Sequence, residues 1–349
     1  MPLQGMNVDN IRQISRDLTG QAGLLTNLSL RVDALVERTR SQWRGPDASR
    51  FESSWRDVHK AKVAQLVGDL EGLARSLWNN ADDQDRASGN ADLYRNPVQE
   101  DGAQGAYRDF SGDIGISESD IKPDDIRQGG LGDCYLIAAL RSEALRDPAF
   151  LADHLHHNAD GTYTVTLFDA EHHPVDVTVD ASAPTGSAGG TTGSPNWVTL
   201  YEKAYAEYLG GMYSDIEGGQ PHANGLWAIQ TITGRQGEYI EDPSLQEIKS
   251  QLMSGPVTAS TKSDLSDHFN WFWERPDTET LLCPNHAYSV EKVELHWNPA
   301  DSRNEEMVHL LNPWGHSSNG NAADLWVTQK EFNDYFYGTF STQSGVMRY

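Results

Sequence analysis

The chain has 349 residues, 38% of them hydrophobic, and a formal net charge of −24 at pH 7. That length exceeds one average domain and supplies enough apolar residues for a sizeable core, so two domains are expected. No apolar run approaches the roughly 20 residues of a membrane helix, and the start (MPLQGMNVDNIRQ) has no signal-like apolar stretch, so neither a span nor a cleaved leader is expected.

The charge is unevenly divided. Residues 1–90 hold 12 basic and 12 acidic side chains, whereas residues 91–349 hold 15 basic and 39 acidic ones. Two modules of different character therefore meet near residue 90. The acidic module repels phosphate backbones and anionic lipid, so nucleic acid and membrane surfaces are not expected partners. Its carboxylates serve solubility, and bound calcium among them stays open. The two cysteines, Cys134 and Cys283, form neither a disulfide framework nor a zinc-ligand spacing.

In the first module Ile14, Leu18, Leu25, Leu28, Val32 and Leu35 recur at steps of three and four, with Gln21 filling one slot. This predicts a long helix with one apolar stripe. Trp43-Arg44-Gly45-Pro46-Asp47 interrupts it: glycine permits a left-handed turn residue, and proline suits the first turn of a new helix. A second helix is expected to carry Phe51, Trp55, Val58, Leu66, Leu70, Leu73 and Leu77 inward. Two such helices cannot enclose a core alone, and their stripes call for a partner helix pair.

Two long helices around a Trp-x-Gly turn resemble the WXG family of small helical hairpins exported by type VII secretion systems. The resemblance covers residues 1–82 and implies signal-peptide-independent secretion from the cytoplasm, a small helical WXG-type partner or chaperone, and an immunity or inhibitor protein. The family's export signal, an aromatic residue followed four positions on by an acid, has an imperfect counterpart in Trp78 and Asp82. A generic coiled-coil or dimerisation hairpin is the alternative. Residues 83–118, polar and rich in Gly, Asp, Asn and Gln, read as a linker open to cleavage.

Chemistry concentrates in residues 119–349. In IRQGGLGDCYLIAALRSEAL (126–145) a glycine-rich turn runs into an apolar helix at a cysteine. A thiol must become a thiolate to attack a carbonyl, and a helix amino terminus offers Cys134 the positive end of the dipole. Asp133 is the expected cap. Gln128 can donate its amide, together with the Cys134 N–H, to an oxyanion. A nucleophilic cysteine needs a base and an orienting group. Residues 285–295 (NHAYSVEKVEL) read as a half-buried strand near His286, and MVHLLNPWG (307–315) as a strand ending at Asn312. Adjacent strands would let Asn312 bond the imidazole nitrogen turned away from the thiol.

Q-G-x-L-G-D-C, H-A-Y-S-V and N-P-W-G in this order resemble the calpain family of papain-like cysteine proteases, and the likeness continues through residues 197–219, 248–260 and 325–336. It implies an α+β fold with a helical and a strand-rich half, and an endopeptidase acting on protein or peptide substrates. Cys134 would be the nucleophile, His286 the base, Asn312 the orienting residue and Gln128 the oxyanion donor, with Trp314 beside the cleft. Tyr135 stands where the family usually has Trp. With the likeness ending at Tyr349, the calcium-responsive modules of animal calpains are expected to be missing. No cofactor is then required, calcium within the protease core remains open, and activity is constitutive or held back by a partner.

Rival readings are a transglutaminase-like acyl transferase, against which Asn312 weighs because that family uses Asp, and a catalytically silent interaction protein. Cys283 is either a buried core thiol or a redox lock on Cys134. His154, His156, His157, His172 and His173 are expected at loops or the surface. Trp197, Trp227, Trp271, Trp273 and Trp297 are expected in core packing, and residues 180–193 in a flexible loop without chemistry.

Overall fold

The computed structural model describes residues 45–87, 107–110, 114–217, 221–262, 282–298, 301–316 and 323–343, and single positions between Ile11 and Trp43. The chain divides into two compact units, residues 1–96 and 97–349.

In the first unit, Ile11, Ile14, Leu18, Gln21, Ala22, Leu25, Leu28, Ser29, Val32 and Val36 are helical. Helix α1 (Pro46–Ser54) follows Gly45, whose φ of 129° suits only glycine, and Pro46 occupies its first turn. It passes through a π turn at Trp55–His59 into α2 (Lys60–Ala87). The Trp43 and Phe51 rings pack with centroids 5.8 Å apart across the turn.

The inward stripe expected on the second helix is only partly so. Phe51, Val58, Leu66 and Leu73 are 49%, 44%, 47% and 57% exposed. The π turn is one reason: its wider i→i+5 spacing rotates the residues after it relative to those before, so one stripe cannot run through both helices. The rest of the first helix lies outside the described residues, and with it the pairing of two helices as a hairpin. So do the side chains of Trp78 and Asp82, and most of the expected linker.

The second unit mixes helices with antiparallel sheet. Its first half holds β1 (Tyr107–Asp109), α3 (Cys134–Arg146), α4 (Pro148–Asp153), β2 (Leu155–His157), β3 (Tyr163–Phe168), β4 (Pro174–Val179), β5 (Ser182–Pro184), α5 (Trp197–Leu209) and α6 (Pro221–Thr233). Its second half holds β6 (Gly237–Glu241), α7 (Leu245–Ser254), β7 (Val257–Thr261), β8 (Ala287–Asn298), β9 (Arg303–Leu311), β10 (Asp324–Thr328), α8 (Gln329–Tyr335) and β11 (Phe336–Thr342). A six-stranded antiparallel sheet runs β10-β9-β8-β7-β11-β6, with a three-stranded sheet β2-β3-β4 and the pair β1-β5 in the helical half.

Helix α3 is buried from Cys134 to Ala144, packed against α6 on one side and against β7 and β8 on the other. Ala, Leu and Ile around most of its circumference make a helix that must be enclosed, and the two halves of the unit enclose it. Polar bonds pin it across the sheet: Ser289 Oγ donates to the Ala138 carbonyl at 2.8 Å, and Ser142 Oγ bonds both the Val257 N–H and carbonyl.

Two expectations need correction. Residues 180–193 are not a featureless loop: Ser182–Pro184 pairs with β1, and Gly189 bridges Arg127. Trp197 is buried as expected, but Trp297 is 53% exposed, since its end of the long β8–β9 hairpin pairs with Asn304 beyond the cover of the sheet. Trp271 and Trp273 lie outside the described residues.

Candidate active site

Gly129 allows the turn before α3, because a Cβ there would stand 1.9 Å from the Gly186 carbonyl oxygen. The turn delivers Cys134 to the first helical position, where its side chain is 6% exposed. Asp133 does not cap the helix with its side chain, contrary to expectation; only its carbonyl engages, accepting the Leu136 and Ile137 N–H groups at 2.8 and 3.2 Å. The carboxyl group turns inward instead. The N–H groups of Ala287 and Tyr135 point at the Cys134 sulfur, which places the thiol at the head of β8, next to His286.

His286 directly precedes β8 and Asn312 directly follows β9, and the antiparallel pairing of Ser289 with Leu311 brings them together. His286 Nε2 lies 3.0 Å from Asn312 Oδ1. The same oxygen accepts the Trp314 N–H at 3.0 Å, which identifies it as the amide oxygen and gives Nε2 the proton. In the neutral ring Nδ1 is then the basic nitrogen. The Trp314 ring lies 5.0 Å from the imidazole, between centroids, and the Tyr288 ring meets it edge-on at 5.2 Å. The His286 N–H donates to Thr261 Oγ1 at 2.9 Å, anchoring it to β7.

Burial dominates the electrostatics. It pushes the Cys134 thiol up to about 12, against the pull of the Ala287 N–H, and lowers the His286 imidazole to about 4, against its bond to Asn312. Burial thus favours the neutral thiol and the neutral imidazole.

Gln128 sits at this turn, 6% exposed, held through its backbone N–H by the Pro313 carbonyl at 2.9 Å. Its amide nitrogen donates to the Leu131 carbonyl at 2.7 Å and to Asp133 Oδ1 at 3.1 Å. Both amide hydrogens are thus engaged within the turn. A cavity of about 270 Å³ opens beside it, lined by Arg127, Gln128, Gly129, Ser187, Ala188 and Gly189 among others.

Three contributors went unread in the sequence. Arg141 donates to the Asn312 carbonyl at 2.8 Å, Thr261 anchors His286, and Glu202 accepts the Ala188 N–H at 2.9 Å from within α5. For Arg141 and Glu202 there was a signal: each is a charged residue inside an apolar helical stretch, which burial makes costly unless it is partnered. Cys283 is half-buried, its N–H donating to Tyr288 Oη at 2.9 Å. His156, His157 and His173 are exposed.

Calcium does not fit the one side-chain group at metal-ligand spacing among the described residues. Among the described residues, Asp169, Glu171 and His173 form the group with metal-ligand spacing. Asp169 Oδ1 already accepts the N–H groups of Glu171 and His173 at 2.9 Å each, and an imidazole is not among the oxygen ligands calcium takes.

The model of the calpain family of cysteine proteases matches residues 108–334, about two-thirds of the chain. Mouse calpain-8 is 31% identical over 212 residues, which are 55% of this chain and 28% of that protein. The calpain-type cysteine protease DEK1 of Arabidopsis thaliana is 29% identical over 237 residues, 62% of this chain and 10% of the relative. The human calpain-2 catalytic subunit is 27% identical over 212 residues, 55% of this chain and 28% of the relative. The chain thus spans 28% or less of the length of these relatives.

Proposed function

The chain belongs to the calpain family of cysteine proteases, and from that premise we propose that it is a cysteine endopeptidase in which Cys134 attacks the peptide carbonyl. The observation that carries the reading is the 3.0 Å bond from His286 Nε2 to Asn312 Oδ1, made where the helix headed by Cys134 meets the sheet. With Nε2 committed to Asn312, Nδ1 accepts the thiol proton as sulfur attacks. The proton passes to the leaving amine, and water, deprotonated by the same nitrogen, releases the acyl group. The Cys134 N–H faces the oxyanion, and Gln128 contributes one amide hydrogen by exchanging it from the Leu131 carbonyl.

The first unit fits a WXG-type hairpin that docks a small helical partner and directs type VII export, the whole chain acting as a secreted bacterial effector or toxin countered by an immunity protein. Its support is the Trp-x-Gly turn between helical stretches and the apolar side chains exposed on α1 and α2.

The test is digestion of a peptide library, and of the chain's own residues 83–118, by the parent and by Cys134→Ala. Cleavage by the parent alone is the expected result; equal cleavage by both rejects the assignment. Parallel digests with calcium and with chelator show whether calcium takes part. For the first unit, co-purification with a small helical partner is expected, and a monomer retained in the producing cell's cytoplasm rejects export.

A further inference from the structure

Directly before Cys134, Asp133 is completely buried, and so is Glu202 on α5. Their carboxyl groups hydrogen-bond each other. Asp133 Oδ1 accepts the Gln128 amide at 3.1 Å, whereas Asp133 Oδ2 meets no nitrogen or hydroxyl donor among the described residues. On the other side the Ala188 N–H reaches both Glu202 oxygens, at 2.9 and 3.0 Å. Thr199 Oγ1 fixes the same residue by donating to the Ala188 carbonyl at 2.7 Å. Two carboxylates in contact and out of water cannot both be ionised, and a hydrogen bond between them requires a proton on one.

We propose that Asp133 and Glu202 share a proton, carried by Glu202 and donated to Asp133 Oδ2, and that this buried acid pair positions Gln128 at the turn presenting Cys134. The inference rests on the protease reading for its catalytic consequence. The ionised Asp133 is the stronger acceptor for Gln128, and Glu202 ties that acceptor to the Ala188 segment, which walls the cavity beside Gln128. The shared proton also removes one of two negative charges that would oppose thiolate formation at Cys134. Burial raises both carboxyl groups above their ordinary range; the Asp133 charge raises Glu202 further, while the hydrogen bond from Glu202 pulls Asp133 back down. Among the described residues, the other titratable groups facing the pair are Cys134 and Tyr135 on α3, and Tyr213 and Glu217 in the segment after α5. None is a cation that would favour a second ionised carboxylate.

The full chain is compared with Glu202→Gln, which keeps a donor toward Asp133, and Glu202→Leu, which has none. Infrared spectra of the parent are expected to hold a protonated carboxyl band at about pH 8, far above ordinary carboxyl titration, with that band lost in Glu202→Gln and kept in Cys134→Ala. In peptide cleavage, Glu202→Leu is expected to lose kcat by about 100-fold with KM little changed, the scale of losing an oriented oxyanion donor. Glu202→Gln falls by no more than roughly tenfold and loses the alkaline decline that follows the pair's deprotonation. A parent spectrum without the band, or a Gln variant as impaired as the Leu variant, overturns the proposal. Should Glu202→Leu fail to fold, the Gln variant and the spectra still decide. Should the parent cleave nothing, the protease reading falls while the band still tests the shared proton.

Discussion

Arg141 Nη1 donates to the backbone carbonyl of Asn312 at 2.8 Å, linking the helix that starts at Cys134 to the strand end that holds the imidazole's partner. Arg141 lies two turns beyond Cys134 and is 6% exposed, so the helix and the His286–Asn312 pair are held in one frame. The carbonyl also accepts the Gly315 N–H at 3.0 Å. Arg141→Met therefore removes one donor and leaves the Gly315 N–H in place rather than orphaning the group. A loss of about 1–2 kcal/mol in urea unfolding is expected, accompanied by reduced kcat.

Gly315 has φ +68°, and a Cβ there would stand 2.3 Å from the Ile126 carbonyl oxygen, in the segment leading to Gln128. Gly315→Ala meets both backbone strain and a fixed wall, and is expected to destabilise by more than about 2 kcal/mol and to depress cleavage. Gly193, at φ +78° with open space around it, serves as the control. Gly193→Ala should cost only about 1 kcal/mol, so similar melting shifts in the two variants would contradict the steric account.

Asn312→Ala removes the acceptor that holds His286 Nε2 and leaves the Trp314 N–H unpartnered by that oxygen. The imidazole then loses its fixed tautomer. A fall in kcat of about 100-fold is expected with a smaller change in KM, since an orienting bond matters most in the transition state. Steady-state kinetics on a single peptide would separate the two parameters.

The buried neutral pair makes two pH predictions. With the thiol raised to about 12, alkylation of Cys134 by iodoacetamide should climb steadily through the alkaline range. A rate already at plateau near neutral pH would mean a resting ion pair instead. For His286 the folded value is depressed, from 6.5 to about 4. Its stabilising effect is complete above about pH 6.5 and is lost as pH falls towards 4, an amount on the order of 3 kcal/mol. Unfolding midpoints of the parent and His286→Gln should converge over that interval.

The sequence by itself determined the class, a calpain-family cysteine protease. Cys134 at the end of a glycine turn, His286 before an alternating strand and Asn312 before Pro-Trp-Gly are local signals, because turn, strand and helix-start preferences act over a few residues. The same locality made the mixed helix-and-sheet class legible. Tertiary structure alone decided what each side chain touches. It turned Asp133 from the expected cap into a buried partner of Gln128 and Glu202, and turned residues 180–193 from a loose loop into the wall beside them. It also set Arg141 against Asn312. These pairings join residues up to 171 positions apart, and no periodicity encodes them. They arise because the helical half and the sheet enclose α3, and a polar group sealed there without water must find whatever partner the fold brings within reach.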